Sequence, residues 1–126
     1  MKLLLRRSQR SGMLGGKIVF TLEVRADLSP EERGSIQKYK LGETILYERN
    51  TLTDRGSGLL GLASRAAFRA MNISISVNDL ATGKKVECKD IVEMIAVADQ
   101  IKEAAQTFKA VLDAAAHFGG EEVMAL

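Results

Sequence analysis

Residues 90–118 read DIVEMIAVADQIKEAAQTFKAVLDAAAHF, and within them Ile91, Met94, Ala98, Ile101, Ala105, Phe108, Leu112 and Ala115 follow steps of three and four in strict alternation. Only a helix brings residues at that spacing onto one side, so the pattern predicts an amphipathic helix with a heptad seam held for more than three heptads. Asp90, with Glu93 three residues later, predicts a capping box at its start; Gly119 and Gly120 predict its end. Such a helix is roughly 42 Å long at 1.5 Å per residue. An ordinary strand is about 17–20 Å long, so a sheet would cover only part of the seam. Packing on its own sheet is the common fate of a helix like this. The excess length nonetheless predicts a second surface, with Met94, Ala98, Ile101, Ala105, Phe108, Leu112 and Ala115 as the expected oligomer interface. The three alanines favour close helix approach while burying little area each.

The sheet is predicted from period-two segments. In KIVFTLEVRADL (residues 17–28), Ile18, Phe20, Leu22, Val24, Ala26 and Leu28 alternate with Lys17, Thr21, Glu23, Arg25 and Asp27. That alternation is the mark of a half-buried strand. Residues 2–7 are its expected partner, joined by a glycine-rich hairpin loop. Further strands are expected over 43–48, 73–77 and around Val86 and Cys88, with a turn at ATGK (81–84). Ser29, Pro30 and Glu32 predict a capped helix to about Leu41, with Gly42 as a left-handed terminator. A glycine-weakened helix is expected over 59–71. The resulting order, β-β-α-β-α-β-β-α, predicts an α+β fold: one domain spanning 1–126, with a mainly antiparallel sheet of four to five strands covered on one face by helices.

Composition narrows the function classes. A chain of 126 residues that is 46% hydrophobic can form one compact core, and with 5% aromatic residues and no Trp that core must be mostly aliphatic. Cys88 is the only cysteine and His117 the only histidine, which excludes an intrachain disulfide, a cysteine-based zinc site and a multi-histidine metal cluster. No cofactor is expected. The apolar run Leu3–Leu5 is far shorter than a secretory core or a membrane helix, so a cytoplasmic protein without membrane attachment is expected. Charge is uneven: residues 1–27 carry six basic against two acidic side chains, and residues 86–126 three against eight. Such polarity can attract a second copy, or a polyanion at one end only.

Few residues suggest chemistry. Gly56, Gly58 and Gly61 form G-x-G-x-x-G between an expected strand and helix, with Asp79 about 20 residues on. That is the outline of a dinucleotide site. Seven residues separate the strand from the first glycine, however, and no P-loop lysine follows Gly61, so a helix-starting loop is the better reading. Cys88 lies just before a helix start, where a thiol can be activated, but it shares the inward face with Val86 and reads as structural. His117 suits the negative end of the long helix. No pair of carboxylates reads as catalytic. Arg6, Arg7, Arg10 and Lys17 mark a basic hairpin able to follow a phosphate backbone, though without interleaved aromatic residues for base stacking. Three expectations follow. The first is a non-enzymatic assembly protein that self-associates through its long helix. The second is a nucleic-acid-binding accessory protein using the basic hairpin. The third is a nucleotide or small-molecule binder at the Gly56–Gly61 loop.

Overall fold

A computed structural model describes residues 1–11, 18–50, 72–119, 121 and 123–126. The helix expected over 59–71, the cluster Gly56, Gly58 and Gly61, and Lys17 lie outside these residues. The described elements run β1 (Lys2–Ser11), β2 (Ile18–Asp27), α1 (Pro30–Lys38), β3 (Ile45–Asn50), β4 (Asn72–Ser76), α2 (Val77–Thr82), β5 (Lys84–Cys88) and α3 (Ile91–Ala116).

The architecture is α+β, but the expected single sheet is instead two antiparallel sheets, one ordered β1-β2-β5 and the other β3-β4. The strict alternation of β2 explains its central place. Leu22, Val24 and Ala26 are buried on one face, while Thr21 and Glu23 pair across to Glu87 and Lys85 on the other. β1 is longer than expected and pairs with β2 along its full length, from Lys2 opposite Asp27 to Ser11 opposite Ile18. No backbone ladder joins β5 to β3. The two sheets share one apolar cluster and are also linked by the side chain of Arg49, which donates from Nη2 to the Glu87 carbonyl at 2.8 Å.

Local chemistry sets the helix ends. Ser29 and Glu32 complete the expected capping box on α1, at 3.1 and 2.9 Å. α1 ends earlier than expected, and the left-handed residue is Lys40, φ 56°, rather than Gly42. The Leu41 amide donates to Ile36 O at 2.9 Å and the Lys40 amide to Gln37 O at 3.3 Å. These are the two bonds of a Schellman motif. Gly42 lies close to α2 instead: a Cβ there would displace the Asn78 side-chain amide. α2 was not expected from the sequence. Ser76 and Asp79 form a reciprocal capping box at its start, at 3.2 and 2.9 Å. Its first amides are satisfied by Thr44 O and Gly42 O. At the start of α3 the expected box is half formed. Asp90 accepts from the Glu93 amide at 2.7 Å, whereas the Glu93 carboxylate turns to Arg49.

Two clusters make the core. Met94, Val97, Ala98 and Ile101 of α3 pack with Leu22, Val24, Val86 and Cys88 of the larger sheet and with Tyr47 and Ile75 of the smaller one. Farther along α3, Phe108 and Leu112 pack with Ile36 of α1 and Val77 of α2. Met1 and Leu46 border both clusters. Among the described residues no helix is long and apolar enough to cross a membrane.

Candidate interaction surfaces

The heptad seam is not a free surface. Met94, Ala98, Ile101, Ala105, Phe108 and Leu112 are all buried within the single chain, and Ala115 is half-buried. The seam outruns the larger sheet and is still enclosed, because that sheet is not its only cover. β3 and α1 flank the part of α3 that lies beyond the larger sheet. Glu32 of α1 reaches Lys109 of α3 at 3.4 Å, and Tyr39 meets Phe118 edge-on at 5.6 Å between ring centres.

A different part of α3 is exposed and apolar. Ile91, Val92 and Ile95 are 55%, 76% and 50% exposed within the first five residues of the helix. Ile91, the first member of the expected seam, thus belongs to the outside. Farther along, the outer face turns polar, with Asp99, Gln100, Lys102, Glu103 and Gln106 all exposed. The next exposed large apolar side chain on α3 is Val111, which borders a groove against β3, so the patch at the helix start stands apart from it.

The basic hairpin does not present one uniform cationic face. Register places Arg6 opposite Glu23, and Arg10 lies 3.7 Å from Glu87. Lys85 lies 3.9 Å from Glu23, and Arg25 3.2 Å from Asp27. The outer face of the larger sheet is thus a field of alternating sign. Arg7 lies across from Leu22 and so falls on the opposite face from Arg6 and Arg10. Repeated carboxylates weaken the attraction such a surface has for a phosphate backbone.

Arg49, not singled out from the sequence, is a largely enclosed cation. Its side chain is 15% exposed and bonds Glu93 Oε1 at 2.7 Å. Its Nε is buried without a hydrogen-bond partner. Period two places Arg49 on the same face as Tyr47, which was the available signal. Burial pushes the Tyr47 hydroxyl and the Cys88 thiol upward, and the nearby Arg49 cation only partly offsets this. Cys88 is therefore a buried, protonated thiol rather than an activated one. His117 is the C-cap of α3. Asp79 holds the start of α2 and its carboxyl lies below its ordinary range, chiefly through the Ser76 amide. It is engaged locally rather than waiting for a ribose.

Among the described residues, one concavity of about 440 Å³ lies on the outer face of the larger sheet, lined by Arg6, Arg10, Glu23, Lys85 and Glu87. An apolar groove of about 460 Å³ runs between β3 and α3, bounded by Ile45, Leu46, Ala104, Phe108 and Val111. A cleft of about 570 Å³ lies between α1 and α2, floored by Leu28, Ile36 and Val77 and rimmed by Arg33, Lys40 and Glu43. Among the described residues no three His, Cys, Asp or Glu side chains converge as metal ligands would. Comparison with family models, curated proteins and solved structures gives no match.

Proposed function

We propose that the chain is a non-enzymatic interaction protein that assembles with a second copy of itself through the exposed start of α3. The supporting observation is the trio Ile91, Val92 and Ile95, left in solvent while the seam members from Met94 to Leu112 are enclosed. β-Branched side chains slightly weaken a helix, so at exposed positions they contribute nothing to this one. A bounded apolar patch on an otherwise polar face marks a contact surface. Paired about a two-fold axis, the patch meets itself, and apolar side chains are complementary to their own copies.

Three side chains make a small interface centre, so the association is weak, with a dissociation constant on the order of micromolar or above. Sedimentation velocity across a range from about 1 to 300 µM is expected to reveal a monomer–dimer equilibrium. Val92→Glu is expected to leave only monomer without lowering the melting temperature, because the site is exposed. A wild-type protein that stays monomeric over the whole range would refute the proposal.

A further inference from the structure

We infer that the α1–α2 cleft receives the apolar segment that follows α3 in a second copy of the chain. The inference rests on the self-association proposed above but uses a separate surface, so the two can fail separately. The floor of the cleft is aliphatic, and its rim carries two cations, Arg33 and Lys40, against the single acid Glu43. Neither cation forms an ion pair among the described residues. Lys40 also holds a left-handed backbone, φ 56°, a conformation for which glycine is the ordinary choice. The chain tolerates that strain at the residue that sets an ammonium on the cleft rim, a place where strain commonly serves binding.

The complementary chemistry is in residues 121–126, EEVMAL, two acids followed by aliphatic side chains. Val123 and Met124 are 82% and 72% exposed, and Leu126 is fully exposed. Their side chains suit the floor formed by Leu28, Ile36 and Val77, and the preceding carboxylates suit Arg33 and Lys40. A second copy, rather than the same chain, is the source. Glu32 and Tyr39 face α3 through Lys109 and Phe118, while Arg33 and Gln37, about 100–140° around α1 from Glu32 at 100° per residue, lie away from that flank. Phe118 is fixed on the α3-facing flank by its contact with Tyr39, and the segment beyond it does not enter its own cleft. Reciprocal exchange between two copies fills both clefts with one contact repeated about a two-fold axis.

The test uses full-length chains carrying Val92→Glu, so that the α3 patch takes no part. One chain also carries Arg33→Glu and Lys40→Glu; the other carries Val123→Asp and Met124→Asp. Each is expected to sediment alone as a monomer. Mixed, they retain one intact cleft and one intact segment, and are expected to form a one-to-one dimer. A third chain, Lys40→Gly, removes the ammonium while relieving the backbone; it is expected to keep its melting temperature or raise it, and to weaken the mixed dimer about tenfold when placed on the cleft partner. Absence of a mixed dimer, or one indifferent to Lys40→Gly, would overturn the inference. A segment docked in its own chain would leave the mixture monomeric and so counts against it as well.

Discussion

Glu32 gathers more interactions than any other single residue described. Its Oε1 accepts from the Ser29 amide at 2.9 Å and lies 2.9 Å from the Met1 amino group, while its Oε2 faces Lys109 at 3.4 Å. Burial by itself would raise its carboxyl, but the Ser29 amide and the Met1 amino group outweigh that and hold it at about 2, against an ordinary 4.5. A lowered folded-state value stabilises the fold above the unfolded value, and that stabilisation disappears as pH falls through the folded one. Glu32→Gln keeps a capping-box partner but removes the charge. It is expected to cost about 1–2 kcal/mol near neutral pH. The gap from wild type should close as pH falls from about 4.5 to about 2. Urea titrations at several pH values measure this, and a gap independent of pH would contradict the charge assignment. The capping role was legible from Ser29-Pro30-Glu31-Glu32, because a cap needs only four consecutive residues. The partners Met1 and Lys109 were not, since no local pattern specifies a contact between residues 77 positions apart.

At the scale of elements, α3 separates what a period can tell from what it cannot. The three–four spacing identified the apolar side of the helix correctly, and Met94 through Leu112 are enclosed. It could not say what would enclose them. A 26-residue helix is about 39 Å long, and its covering is shared by strands of both sheets and by α1 and α2. Ala98, fully buried against the larger sheet, provides a check. Ala98→Leu is expected to destabilise the chain by about 1–3 kcal/mol through overpacking, read by denaturant unfolding at a concentration where the protein is monomeric. Were Ala98 an intersubunit residue instead, monomer stability would be unchanged. α2 escaped the sequence reading for a related reason. Ile73, Ile75 and Val77 alternate as one strand would, yet Ser76 and Asp79 cap a helix that begins at Val77, and two local signals overlapped on the same residues.

For the whole molecule, the joint between the two sheets is the feature with the largest consequence. Arg49 bridges β3 to the Glu87 carbonyl of β5 and to Glu93 of α3. Truncating it leaves Glu93 half-buried without its counter-ion and opens the joint. Arg49→Ala is therefore expected to cost about 2–3 kcal/mol, and a loss below about 0.5 kcal/mol would show that the joint is held by packing alone. Lysine has no planar fork to reach the carbonyl and the carboxylate together, so Arg49→Lys should recover little.

The sequence by itself determined the parts that depend on neighbours along the chain. These are the alternating faces of β2, the N-terminal cap of α1 and the seam of α3, each specified within a few residues by steric period and hydrogen bonding. The tertiary structure alone decided the division into two sheets, the covering of the seam, and the carboxylates set opposite Arg6 and beside Arg10. Those outcomes depend on which distant surfaces exclude water from one another, and burial is a property of the assembled chain rather than of any segment.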